Sequence, residues 1–148
     1  MNARRFFHLS LVLLLMGCGK PADPNRPKTI PVTGTVTYKG QPVEGATVTF
    51  FGGTRGAVGL TDASGGFKMT TFEAADGAIP GTYKVMITKT VLEGAPAETG
   101  TGTASGAEPF FGTEKDLLPA KYKDVNQSGL TAEVKEGAAI DLKFDLTD

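Results

Sequence analysis

The side chains that most often do chemistry are scarce in this chain. It holds one cysteine, Cys18, and one histidine, His8. Beyond Gly19 there is therefore no thiol and no imidazole. That excludes a Ser-His-Asp triad, a Cys-His pair and the usual zinc ligands from the rest of the chain. Carboxylates remain. Glu44, Asp62, Glu73, Asp76 and Asp116 stand among glycines and small polar residues, in turn or loop contexts where solvated and capping roles dominate over acid–base pairs. Asp62, Ser64 and Asp76 could give oxygens to calcium, but their spacing matches no EF-hand loop. A Lys–Asn isopeptide staple needs both residues on adjacent strands, and Asn25 and Asn126 fall outside the expected strands. No metal, no cofactor and no enzyme activity is expected.

Cys18 is the one reactive group with a telling context. Arg4 and Arg5 form a positive start, and Phe6 to Met16 is a short apolar run. The run cannot span about 30 Å of hydrocarbon as a helix, so residues 1–17 read as a cleaved export signal. Leu15-Met16-Gly17-Cys18 resembles the bacterial lipobox, which implies that Cys18 is diacylglycerylated and becomes the first residue. A lone thiol in an exported chain forms no internal disulfide, and acylation explains it. Each buried CH₂ contributes about 0.8 kcal/mol, so two or three chains anchor stably. The expected partner is thus a membrane, reached through palmitate-type chains. Gly19 stands where aspartate would favour the inner membrane, which leans the expectation to the outer membrane of a bacterial envelope, facing periplasm or surface.

The elements behind the anchor come in order. Residues 18–30 carry Pro21, Pro24 and Pro27 and little apolar content, a tether reaching on the order of 35 Å. From 31 to 148 the chain reads as one domain. Val32, Val36 and Tyr38 alternate with Thr33, Thr35 and Thr37; Ala46, Val48 and Phe50 alternate with Thr47, Thr49 and Phe51. A strand sends successive side chains to opposite faces, so these are half-buried strands joined by a turn at 39–45. Residues 57–61 and 66–70 flank a turn at Asp62-Ala63-Ser64-Gly65. Tyr83, Val85 and Ile87 mark a strand over 82–89, and two more close the chain at 130–135 and 140–146. Seven one-sided strands predict two antiparallel sheets packed face to face. The expected inward set is Val32, Val36, Tyr38, Ala46, Val48, Phe50, Leu60, Phe67, Met69, Tyr83, Val85, Ile87, Leu130, Val134, Ile140, Leu142 and Phe144.

Residues 91–129 break the rhythm and read as a long loop, low in complexity over 93–108. A short helical or irregular turn near Leu117 to Tyr122 is expected to pack over one edge. Phe110, Phe111 and Tyr122 are the candidate binding surface, weighed against a loop that folds its aromatics onto its own sandwich. The charge is −1 for the whole chain and about −3 without Arg4 and Arg5, with no basic stripe of the kind that nucleic acid requires. Asn126-Gln127-Ser128 matches a glycosylation sequon by pattern only.

V-x-G-x-V-x-Y-x-G-x-P-V-x-G-A-x-V-x-F over Val32–Phe50, T-D-x-x-G-x-F over Thr61–Phe67 and P-G-x-Y-x-V over Pro80–Val85 together resemble the carboxypeptidase regulatory-like domain. The resemblance implies a transthyretin-like β-sandwich. With the lipobox, Leu118-Pro119-x-Lys121-Tyr122 and Ser128-Gly129-Leu130-Thr131 are similar to small bacterial lipoproteins built on this domain. Hydroxyisourate-type hydrolases of transthyretin-like fold rely on histidines, which this domain lacks. The expectation is a non-enzymatic envelope module with a structural or protein-interaction role. A carbohydrate- or peptide-binding module, using loops at one end of the sandwich, is the alternative; its partner would be an envelope protein or a glycan.

Overall fold

The computed structural model describes residues 25–93 and 113–148. It is all-β and sandwich-like. In chain order the strands are β1 (Val32–Tyr38), β2 (Gln41–Pro42), β3 (Thr47–Gly52), β4 (Ala57–Leu60), β5 (Gly66–Lys68), β6 (Gly81–Thr88), β7 (Thr90–Glu93), β8 (Thr113–Asp116), β9 (Leu130–Val134) and β10 (Ile140–Leu146). A 3₁₀ turn, η1, covers Ala120–Lys123. All seven expected segments are strands, and β2, β7 and β8 raise the count to ten. One sheet runs β10-β1, with β2 and β5 sharing the far side of β1; the other runs β4-β3-β6-β9.

The second sheet is antiparallel throughout. The first is not, because β1 and β10 pair in parallel from Val32↔Ile140 to Tyr38↔Leu146. A parallel pair needs a long connection between its strands, and here almost the whole domain supplies it. The β1–β2 hairpin turns on Lys39 and Gly40, with φ of 52° and 77°. Positive φ at both central residues matches the twist of the flanking strands.

Both inner faces build one core. Val32, Val36, Phe67, Met69, Phe144 and Leu146 meet Val48, Phe50, Tyr83, Val85, Ile87 and Val134, all buried. Phe50 and Tyr83 rings lie 5.4 Å apart, and the Tyr83 hydroxyl donates to the Ile79 carbonyl at 2.6 Å. Tyr38, Leu130, Ile140 and Leu142 are only partly buried against this core. Leu60 is a correction: it points outward and is 66% exposed. Register explains it. Cross-strand partners share a face, and Val48 opposes Gly59 while Leu60 opposes outward-facing Thr47. The inward side of β4 is left to Ala57 and Gly59, because Met69 already fills the space beside Gly59.

The N-terminal side also packs. Ile30 is buried and bridges Ala78, with Ile30 N to Ala78 O at 2.8 Å. Gly77, at φ 95°, passes so close that a Cβ would fall 1.8 Å from the Ile30 carbonyl oxygen. Arg26 pairs with Glu73 at 2.6 Å and Asp76 at 3.0 Å. The end of the expected tether therefore lies on the domain.

Within the expected loop, β7 and β8 form a two-stranded ribbon, registered from Thr90↔Asp116 to Glu93↔Thr113. The alternation is too short and too polar to read in sequence. Residues 94–112, with Phe110 and Phe111, lie outside the described residues, as does Cys18.

Candidate functional site

The stretch from Leu117 to Gly129 holds the two sheets together, and it contains Tyr122. Leu118 and Tyr122 are its buried anchors. Pro119 starts η1 with φ −55°, and its carbonyl accepts from Tyr122 N at 3.0 Å. The Tyr122 hydroxyl donates to Thr147 O at 3.0 Å and accepts from Thr147 N at 2.9 Å. A buried phenol needs such partners, and these fix the chain just beyond β10. Tyr122 is thus not the surface aromatic expected of a binding site. At the other end, buried Ser128 donates from Oγ to Val85 O in β6 at 2.6 Å. One segment is thus bonded to β6 of the second sheet and to the residue that follows β10 of the first.

This segment also walls a groove of about 610 Å³ on the outer face of β3 and β6. Phe51 and Met86 floor it, and Lys121, Lys123, Asp124 and Val125 line it. Phe51 is 43% exposed. Adjacent Phe50 and Phe51 cannot both face one side of a strand, which was the available signal. The polar rim groups have hydrogen-bond partners. Lys123 bonds Asp116, and that bond is the main reason the Asp116 carboxyl sits below the usual range. Asn126 N and Gln127 Nε2 reach Asp124 at 2.8 and 2.6 Å, lowering its carboxyl as well. Lys121 Nζ donates to Asp148 O at 2.7 Å. The groove can hold an apolar side chain among polar neighbours.

The other candidate carboxylates serve their own loops. Asp62 Oδ1 accepts from Ser64 Oγ at 2.6 Å, Ser64 N at 2.8 Å and Gly66 N at 2.9 Å, and these bonds depress its carboxyl. Burial pushes Asp76 up, but the N–H groups of Thr71 and Phe72 and the Arg26 charge outweigh it and leave it lowered. Phe72 lies under the guanidinium groups of Arg26 and Arg55, at 4.5 and 5.0 Å. Asp62 and Asp76 therefore answer separate sets of donors, and no group of three His, Cys, Asp or Glu suited to a metal occurs among the described residues. Lys84 Nζ does meet Asn126 Oδ1, at 2.9 Å. The pair is exposed, and the contact is a surface hydrogen bond between Asn126 and a strand lysine.

No family model matches the chain, and no curated protein matches it. Among solved structures it is similar to a DUF3823 family protein from Parabacteroides merdae ATCC 43184, at 13% identity and a TM-score of 0.39. The match covers 82% of this chain and 47% of that one, so the chain spans about half the length of that structure. At this TM-score the likeness adds nothing to the fold described above.

Proposed function

We propose that the chain is a lipid-anchored bacterial envelope protein, whose carboxypeptidase regulatory-like sandwich is a non-enzymatic structural or interaction module. The observation that carries the reading is the order of the chain. A sole cysteine ending Leu-x-Gly-Cys stands shortly before Arg26, where the domain is fastened on. Among the described residues no helix is long and apolar enough to cross a membrane, and in this reading attachment falls to Cys18.

The residues behind the family resemblance support a module. Gly40, Gly45 and Gly65 hold positive φ in turns, while Val36, Val43, Ala46, Val48, Phe50 and Phe67 are core. They form and pack the fold, which fits a module. Exposed Phe51 in its groove favours a second reading, a peptide-binding module. The test of the first is metabolic labelling with radioactive palmitate. Cys18→Ser should abolish the label, and undiminished labelling would overturn the anchor.

A further inference from the structure

The first sheet ends on β10, and among the described residues nothing pairs with the outer edge of that strand. Its backbone polarity is readable from two bonds. Ile140 N donates to Pro31 O at 3.0 Å, and Leu146 O accepts from Lys39 N at 3.1 Å. Backbone groups alternate in direction along a strand, so those of Ile140, Leu142, Phe144 and Leu146 face β1. Those of Asp141, Lys143 and Asp145 face the open edge.

The side chains carry a second signal. Phe144 and Leu146 are buried, whereas Ile140 and Leu142 are only partly covered. The core is thus incomplete at one end of β10, where another strand would cover it. Asp141, Lys143 and Asp145 are exposed on the outer face. Asp141 and Asp145 accept from the Thr33 and Thr37 hydroxyls. Lys143 has no acidic partner among the described residues.

Charges on an edge strand commonly keep copies apart, and here their order decides which pairing is opposed. Two antiparallel β10 strands centred on Lys143 would set lysine against lysine and aspartate against aspartate. A shift that puts the two-fold axis at Leu142 sets Asp141 of each copy against Lys143 of the other. In that register the four outward backbone groups of Asp141 and Lys143 meet their counterparts as hydrogen-bonded pairs, and the strand covers Ile140 and Leu142. We propose that β10 is a homodimer interface, joining two first sheets antiparallel about Leu142. This assignment does not rest on the membrane anchor or on the absence of catalysis.

The register is testable by oxidation of the full chain. Directly opposed, non-hydrogen-bonded residues lie about 4.5 Å apart between Cα atoms, within disulfide reach. Leu142→Cys should therefore cross-link to a second copy on a non-reducing gel, well above Lys143→Cys and above the parent that retains Cys18. Equal or stronger cross-linking at 143 would overturn the register. Charge reversal reads the same contact without touching the core. Asp141→Lys should weaken association about tenfold, and Asp141→Lys with Lys143→Asp should restore it, as sedimentation of the detergent-solubilised full chain would show. A monomeric parent, or a dimer indifferent to Asp141→Lys, would overturn the interface.

Discussion

β4 and β6 both flank β3, yet they treat their large side chains in opposite ways. β6 buries Tyr83, Val85 and Ile87 and turns Lys84 outward, with Met86 half-exposed. β4 buries Ala57 and Gly59 and turns Val58 and Leu60 to solvent. Both are registered on the same inward residues, Val48 and Phe50. The inward parity is therefore set by the pairing and by the space left across the sandwich, and size follows where space allows. Beside β6 there is room for a full row. Beside β4, Met69 and the backbone at Lys68 have taken it.

Three substitutions would break or sharpen that contrast, in descending order. Val85→Asp puts an unpaired carboxylate, or a forced protonation, into the centre of the core. It should cost about 3–5 kcal/mol in urea melts, a large share of the roughly 5–15 kcal/mol typical of a domain. Gly59→Val tests the crowded side of β4. A Cβ there would lie 2.9 Å from Lys68 O and 3.0 Å from Met69 Sδ, so overpacking should destabilise by about 1–3 kcal/mol. Leu60→Thr removes the larger side chain and should matter least, within about 0.5 kcal/mol. A melt in which Leu60→Thr is worse than Gly59→Val would reverse the inward face of β4.

Much of the fold was legible because alternation is a local signal. Val36, Val48, Phe50, Val85 and Ile87 declare their strands within a few residues, and Lys39-Gly40 and Asp62 to Gly65 declare their turns. Leu60 misled because its parity depends on its pairing with Thr47, which the local pattern does not contain. The parallel seam of β1 with β10 joins Val32 to Ile140, again beyond any local pattern. The β7–β8 ribbon pairs Thr-Val-Leu-Glu with Thr-Glu-Lys-Asp; its two apolar residues, Val91 and Leu92, are adjacent, so it lacks the alternation that reveals a half-buried strand.

The candidate site was less legible for a different reason. Tyr122 looks like an available aromatic until Thr147 is known to answer its hydroxyl on both sides. Phe51 falls on the outward parity with Thr47 and Thr49, but the groove it floors is walled by residues 120–127, far along the chain. Cys18 stands apart, since a lipobox-like signal concerns export and acylation and owes nothing to the sandwich.

That independence gives the most direct test of the anchored-module account. The parent and Cys18→Ser are expressed as full chains, fractionated in salt and then in detergent, and melted in urea. The account predicts that the parent leaves the membrane fraction only with detergent, that Cys18→Ser is found in the soluble fraction, and that both melt at the same midpoint. Cys18→Ser that stays in the membrane fraction through the salt wash would contradict it.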